Sequence, residues 1–114
     1  MRIEVLYVRD CPHHPTALRQ LRDVLLTEGI AADICQVAVK DARAAEEMRF
    51  RGSPTIRING RDIAEDSHDL ESFGLACRVY PGAKSAGVPP VEMMYRAVRE
   101  ARDAEEVRDV RRVK

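Results

Sequence analysis

Apolar and polar residues alternate at the start of the chain, and the spacing of the apolar residues changes directly afterwards. Residues 2–8 alternate and include β-branched side chains, which is typical of a strand. Over residues 16–28 the apolar side chains recur at helical spacing, and Gly29 follows as a stop signal. Residues 30–39 are rich in Ala, Ile and Val and predict a second strand. We expect the crossover between the two strands to be right-handed and the pair to be parallel.

The middle of the chain predicts a short helix followed by a β-hairpin. The helix is expected over residues 40–49, with Asp41 as its N-cap. Residues 55–58 predict a third strand, and Asn59-Gly60 is the strongest two-residue hairpin signal, because both turn positions need a positive φ. Residues 61–64 are therefore expected to form a fourth strand, antiparallel to the third.

The pattern weakens over residues 65–88, which predict a long loop of the kind that is usually functional or mobile. Pro89-Pro90 starts a final helix with its buried face at Val91, Met94, Ala97, Val98 and Ala101. The Ala and Val stripe beyond it is thin, so we expect residues 103–114 to form a charged, frayed or partner-dependent helical extension. The domain is thus expected over residues 1–102, with residues 65–88 as a long insertion that carries Cys77.

The predicted order of elements is β-α-β-α-β-β-α, with a parallel pair of strands and a hairpin. Layer packing then predicts an α/β fold with one four-stranded mixed sheet and helices on both faces. A chain of 114 residues fits one domain with a modest core.

Basic and acidic residues are equal in number, with 19 Lys and Arg against 19 Asp and Glu. Long-range electrostatics therefore do not favour binding to nucleic acid or to an anionic membrane. No run approaches the roughly 18 apolar residues that a membrane span needs, and no signal-peptide pattern opens the chain. We expect a soluble, cytoplasmic protein, and we predict no cofactor.

The chain contains three cysteines, Cys11, Cys35 and Cys77. An odd and sparse set does not form a disulfide framework, and the lack of a Cys-x-x-Cys pair argues against a structural zinc site. In a reducing compartment such cysteines either fill space in the core or carry chemistry. Cys35 lies within a predicted strand, where we favour the core interpretation.

Cys11 lies in the stretch Asp10-Cys11-Pro12-His13-His14-Pro15, between the first strand and the first helix. Free N–H groups and the dipole at a helix start stabilise a thiolate, so we favour a reactive thiol over an inert junction cysteine. His13 and His14 could stabilise the thiolate, relay a proton or bind a metal, and exposed helix-start histidines are the simpler alternative. Successive helical positions point about 100° apart, so both rings cannot easily face one ion, and we predict no metal site.

Three features resemble the thioredoxin/glutaredoxin superfamily: the order of elements, the Cys11-Pro12-His13 stretch at the start of the first helix, and Ser53-Pro54-Thr55 before the third strand. The Cys-Pro-His stretch is similar to the Cys-Pro-His-Cys site of periplasmic disulfide oxidants. The resemblance covers the chain except residues 65–88 and the tail. It implies a thioredoxin-like fold, a cis Pro54 and a substrate-binding surface formed by Pro12, His13, Ser53, Pro54 and Thr55, where the Ser53 backbone meets a peptide or thiol. Without the resemblance, Pro54 is explained as a helix terminator before a strand.

The chain departs from that superfamily at His14, which occupies the position of the second active-site cysteine. Cys11 therefore has no local partner for a disulfide. Three alternatives remain: another thiol resolves the mixed disulfide, glutathione resolves it, or the site carries out no redox chemistry. Cys77 is the internal candidate, because the long loop could fold back over the first helix and bring it to Cys11. The alternative is that Cys77 is a small buried side chain beneath Tyr80 and Phe73.

The leading hypothesis is a candidate thiol-disulfide oxidoreductase with Cys11 as its single active-site thiol and with His14 and Cys77 as further catalytic residues. Its partners would be protein or low-molecular-weight thiols, and Cys77 or an external thiol would resolve the mixed disulfide. One alternative is a thiol site that binds a soft metal or an organomercurial through Cys11 with Cys77 or His14. Another is a non-catalytic thioredoxin-fold protein whose C-terminal helix docks a partner or forms a homodimer.

Overall fold

The elements follow each other in the predicted order along the chain. The computed structural model describes residues 1–64, 74–83 and 87–112, so half of the predicted 65–88 loop, including Phe73, lies outside the described residues. The elements in these ranges are β1 (Arg2–Tyr7), α1 (His14–Thr27), β2 (Asp33–Ala38), α2 (Ala42–Glu47), β3 (Thr55–Ile58), β4 (Arg61–Asp62) and α3 (Val91–Arg112).

The four strands form one mixed, open sheet in the order β2-β1-β3-β4. β1 pairs with β2 in parallel and with β3 in antiparallel orientation, which confirms the predicted parallel pair. The predicted hairpin is also present, and its turn residues Asn59 and Gly60 have φ values of 50° and 86°. β4 ends at Asp62, two residues earlier than predicted, because the Asp62 side chain accepts a hydrogen bond from the Ala64 N–H (2.8 Å) and turns the chain.

The alternation along β1 divides the core between the two faces of the sheet. Ile3 and Val5 point into the larger cluster, which includes residues of α1 and α3. Leu6 points to the other face, where it packs in a smaller cluster with Val39, Phe50 and Ala45 of α2. Helices therefore lie against both faces, and β1 is buried between them.

Local sequence signals account for the residues at which α1 and α2 begin. α1 begins two residues before the predicted start, and Pro15 lies in its first turn, where a missing N–H costs no hydrogen bond. Asp41 caps α2 as predicted, because its side chain accepts a hydrogen bond from the Ala44 N–H (2.8 Å). α3 continues without interruption through the predicted extension to Arg112. Among the described helices, none combines the length and apolar character required to cross a membrane.

The prediction that Cys35 is a core residue is wrong. Cys35 lies on β2, at an edge of the sheet, and is exposed. Among the described strands β2 pairs with β1 alone, and it buries no residue fully, although its composition is that of a core strand. The exposure follows from the position of the strand and not from its residues.

Candidate functional site

Cys11 lies in the turn that joins β1 to α1. Its N–H donates to the Val8 carbonyl (3.1 Å), its carbonyl accepts a longer hydrogen bond from the His14 N–H (3.4 Å), and its side chain is half-buried. Asp10, directly before it, has a φ of 67°, which turns the chain away from the strand direction. Because α1 begins at His14, Cys11 precedes the helix by three residues and lies two residues nearer to its start than predicted.

The two histidines of this turn have different surroundings. The ring of His14 stacks on the ring of Tyr7, with 3.9 Å between the centroids and 7° between the planes. Its Nε2 is buried and has no hydrogen-bond partner among the described residues. The imidazole is therefore held against β1, and the alternative of a fully exposed histidine does not apply to His14. Buried nitrogen atoms without a hydrogen-bond partner are rare in proteins, and Nε2 is one of two such side-chain atoms among the described residues.

His13 connects the Cys11 turn to the loop that follows residue 83. A Cβ atom on Gly87 would lie 2.4 Å from Cδ2 of His13, so the backbone approaches the imidazole more closely than any side chain would allow. The Gly87 N–H in turn donates to the Arg78 carbonyl (2.7 Å). The contacts of Gly87 thus connect the His13 ring to the backbone of the residue that follows Cys77. Pro12, in contrast, is exposed.

Ser53 joins three segments of the chain. The Ser53–Pro54 peptide bond is cis, as predicted. The Ser53 hydroxyl accepts a hydrogen bond from the Val8 N–H (3.0 Å), its N–H donates to the Ala76 carbonyl (2.9 Å), and its carbonyl accepts from the Arg78 N–H (3.1 Å). The prediction that the Ser53 backbone is open to a peptide is therefore wrong, because residues 76–78 already occupy it.

The residues after Ser53 are also covered. Pro54 and Thr55 are buried, and the Thr55 hydroxyl donates to the Gly52 carbonyl (2.7 Å). Both residues lie buried at the start of β3, and they offer no exposed surface to a substrate. Of the predicted substrate-binding set, Pro12 is thus exposed and His13 half-buried, whereas Ser53, Pro54 and Thr55 are buried.

Cys77 pairs with Ser53 in an isolated parallel bridge and is exposed. The alternative interpretation, in which Cys77 is a small buried side chain, is therefore wrong. Burial alternates from Cys77 to Tyr80, since Cys77 and Val79 (73%) are exposed whereas Arg78 and Tyr80 are buried; residues 75 and 76 are both exposed and lie outside the alternation. Residues 77–80 thus form a short extended segment that lies against Ser53 with Cys77 on its outer side.

The sequence did not indicate the buried charge beneath this segment. Arg78 is 2% exposed; its Nη1 lies 2.7 Å from Oδ2 of Asp62, and its guanidinium lies 4.5 Å from the centre of the Tyr80 ring. The Tyr80 hydroxyl donates to the Pro54 carbonyl (2.6 Å), and burial raises the pKa of that hydroxyl. No local pattern could have revealed this pairing, because Asp62 and Arg78 meet only after the hairpin and the extended segment have packed together.

Two other features of the described residues bear on ligand binding. No group of three or more His, Cys, Asp or Glu side chains in the described ranges is placed to hold a metal ion. A groove of about 410 Å³ lies between the β3–β4 hairpin and α3, and none of the predicted site residues lines it. No protein-family model, curated protein or solved structure matches this chain.

Proposed function

We propose that the chain is a thioredoxin-like protein that carries out thiol–disulfide exchange at Cys11, with Cys77 as the resolving thiol. The observation that carries the proposal is the link through Val8 and Ser53. The carbonyl of Val8 accepts from the Cys11 N–H, and the N–H of Val8 donates to the Ser53 hydroxyl. Because Ser53 pairs with Cys77, two hydrogen-bonded residues connect the segments that carry the two thiols.

A second connection supports the same pair of cysteines. His13, two residues after Cys11, lies against Gly87, whose N–H binds the carbonyl of Arg78, the residue after Cys77. The two thiol-bearing segments are thus joined on both sides of each cysteine, and all three cysteines of the chain are free thiols. Pre-positioned groups react faster than freely diffusing ones, which favours an internal resolving thiol over an external one.

The order of elements, the strand order β2-β1-β3-β4 and the position of Cys11 between β1 and α1 support the thioredoxin-like part of the proposal. A thiol in this place lies at the carboxyl end of a central strand, where side chains from neighbouring segments converge. A cytoplasmic location agrees with the proposal, because a reducing compartment keeps such thiols available.

The proposed reaction has three exchange steps. The Cys11 thiolate attacks a disulfide in a protein or a low-molecular-weight compound, forms a mixed disulfide and releases one thiolate. The Cys77 thiolate then attacks the Cys11 sulfur, and the second substrate sulfur leaves as a thiolate that takes a proton from solvent. Two equivalents of an external thiol such as glutathione reduce the Cys11–Cys77 disulfide and become a disulfide themselves. We propose His14 as the acceptor of the Cys11 proton, because it lies three residues after Cys11 and its Nε2 has no hydrogen-bond partner among the described residues.

The rate of Cys11 alkylation as a function of pH tests the first half of the proposal. The measurement uses Cys35→Ser/Cys77→Ser, in which Cys11 is the remaining thiol, with His14→Gln as the comparison. We expect Cys11 to be alkylated at pH 7 at least about tenfold faster than free glutathione, and His14→Gln to lower that rate. A rate equal to that of glutathione would exclude both the redox and the soft-metal hypotheses, and leave a non-catalytic scaffold.

Disulfide mapping of the mildly oxidised Cys35→Ser protein tests the second half. We expect a Cys11–Cys77 disulfide within one chain, identified by mass spectrometry of proteolytic fragments. Recovery of Cys11 only as an adduct with glutathione would reject Cys77 and leave an external resolving thiol. Titration with mercuric ion distinguishes the soft-metal alternative, which requires tight binding that Cys77→Ser weakens.

A further inference from the structure

We propose that Arg78 is a positioning residue that holds Cys77 in register against Ser53, so that Cys77 can reach the Cys11 disulfide. The inference rests on the proposed function and assigns a role to a residue that makes no contact with substrate. Arg78 follows Cys77 directly, is 2% exposed and is the largest of the fully buried side chains.

The alternation of the extended segment explains how a buried Arg78 controls an exposed Cys77. Neighbouring residues of an extended chain point to opposite sides, so anchoring one side chain inward directs the next one outward. The anchor is specific: Arg78 pairs with Asp62 on the hairpin and lies over the ring of Tyr80, which binds the Pro54 carbonyl. A slip of one residue would bury Cys77 and expose the guanidinium.

Gly52 allows the backbone of this segment to approach closely at Arg78. A Cβ on Gly52 would lie 2.9 Å from the Cα of Arg78, and Gly52 has a φ of 124°. The two backbones therefore touch at Arg78, next to the Ser53–Cys77 bridge. Any other residue of the segment would have to fit the same contact after a slip.

The composition of the buried site favours positioning over stabilisation as the role of Arg78. Its Nη2 is buried without a partner among the described residues, which is a cost that replacing both Arg78 and Asp62 by apolar side chains would avoid. Buried ion pairs are often no more stabilising than apolar replacements, and their best-attested use is to specify one arrangement of the chain. An arginine is suited to this use, because its planar group can pair with Asp62 and stack on Tyr80 at once.

The equilibrium between the Cys11–Cys77 disulfide and glutathione tests the proposal. Full-length Cys35→Ser protein is equilibrated with mixtures of reduced and oxidised glutathione, the free thiols are alkylated, and the disulfide is quantified by mass spectrometry. The resulting equilibrium constant is the effective concentration of one thiol at the other. It is compared among Arg78→Lys, Arg78→Met and Asp62→Asn, each in the Cys35→Ser background.

We expect Arg78→Met and Asp62→Asn to lower the effective concentration about 10- to 100-fold, with Arg78→Lys between them and the parent protein. The alkylation rate of Cys11 should stay unchanged, because these variants do not touch its turn. If Arg78→Met fails to fold, Arg78→Lys and Asp62→Asn provide the comparison. An effective concentration within about twofold of the parent in the folded variants would overturn the role of Arg78.

Two control variants separate positioning from a general loss of stability. Arg99→Met removes a matched arrangement, an ion pair with Glu28 and a guanidinium over Tyr95, on the far side of α3. Met94→Ala opens a cavity in the fully buried core. Both should leave the effective concentration unchanged, and a decrease in Met94→Ala equal to that in Asp62→Asn would overturn the proposal. If the parent protein forms no Cys11–Cys77 disulfide, the proposed function fails; if it does and the Arg78 variants match it, the positioning role alone fails.

Discussion

Residues 74–80 and the last turns of α3 differ in how the fold holds them. Residues 74–80 form no helix and contribute one isolated bridge to the sheet, yet Arg78 and Tyr80 are among the most deeply buried side chains of the described chain. Residues 103–112 form a regular helix, yet Val107 is 53% exposed. Regular backbone structure and tertiary anchoring are therefore separate properties here.

The difference has a physical cause. A helix satisfies its own backbone N–H and C=O groups, so α3 can project beyond the sheet without help from other elements. An irregular segment must find partners elsewhere, and residues 74–80 find them in Phe50, Ser53 and Gly87. Perturbing the anchors of residues 74–80 should therefore lower the free energy of unfolding far more than removing the last helical turns of α3. Four changes test this difference, and they follow in order of decreasing expected effect.

Replacing Arg78 by Met should have the largest effect on stability. The variant leaves Asp62 without its partner in a site where that side chain is 15% exposed, and loss of one member of a buried pair costs about 3–5 kcal/mol. Urea denaturation followed by circular dichroism measures the loss in the free energy of unfolding. Arg99→Met, which removes a guanidinium that is 55% exposed and leaves Glu28 paired with Arg102, should cost less than about 1 kcal/mol. Equal losses in the two variants would contradict the special position of Arg78.

Gly52→Ala should be the next most destabilising change. The new methyl group would meet the Arg78 backbone at 2.9 Å, and φ at this position is 124°. We expect a loss of about 2–4 kcal/mol in the free energy of unfolding. Gly29→Ala is the matched control, because Gly29 also has a positive φ but has nothing within 4 Å of the added atom. It should lose only about 1 kcal/mol, so similar losses at both sites would show that the Gly52 contact is unimportant.

Tyr80→Phe should have a smaller effect that depends on pH. Near neutral pH the loss of the hydrogen bond to Pro54 should cost about 1 kcal/mol. Burial raises the pKa of Tyr80 above its ordinary value of 10.0, so the folded protein keeps a proton that the unfolded chain releases. The contribution of Tyr80 is therefore complete below about pH 10 and decreases as the pH rises above it.

The measurement for Tyr80→Phe is urea denaturation between pH 7 and pH 11, with the parent protein and Tyr95→Phe compared in parallel. The parent and Tyr95→Phe should lose stability above pH 10 by up to about 1.4 kcal/mol per pH unit more steeply than Tyr80→Phe. Identical slopes for all three proteins would show that Tyr80 is not held in its protonated form.

Deletion of residues 107–114 should have the smallest effect. Glu105 would remain, and with it the contacts of its carboxylate with the Met1 amino group (3.2 Å) and the Asn59 side chain (3.2 Å). We expect a loss of less than about 0.5 kcal/mol and no change in molecular mass by light scattering. Truncation after Ala101, which removes Glu105, should cost more. A change in mass on deletion of residues 107–114 would instead support the homodimer hypothesis for the C-terminal helix.

The parts of the site that could be predicted depend on short-range signals. The change of spacing around Cys11 placed that residue between a strand and a helix, and the resemblance led to the prediction of a cis Pro54. The link between the Cys11 turn, Ser53 and residues 76–78 could not be predicted, because its hydrogen bonds join Val8 to Ser53, 45 positions apart, and Ser53 to a segment more than 20 positions further along the chain. The sequence indicated Cys77 as a candidate resolving thiol, whereas only the structure shows that Cys77 pairs with Ser53.

By itself the sequence determined the order of elements, the parallel pair of strands and the Asn59-Gly60 hairpin, because spacing, β-branched residues and turn residues act over a few neighbouring positions. Tertiary structure alone decided which side chains are buried. Cys35 is exposed because its strand lies at the edge of the sheet, and Arg78 is buried because Asp62 and Tyr80 surround it. Burial depends on what packs against a residue, and that information is not contained in the residue's local pattern.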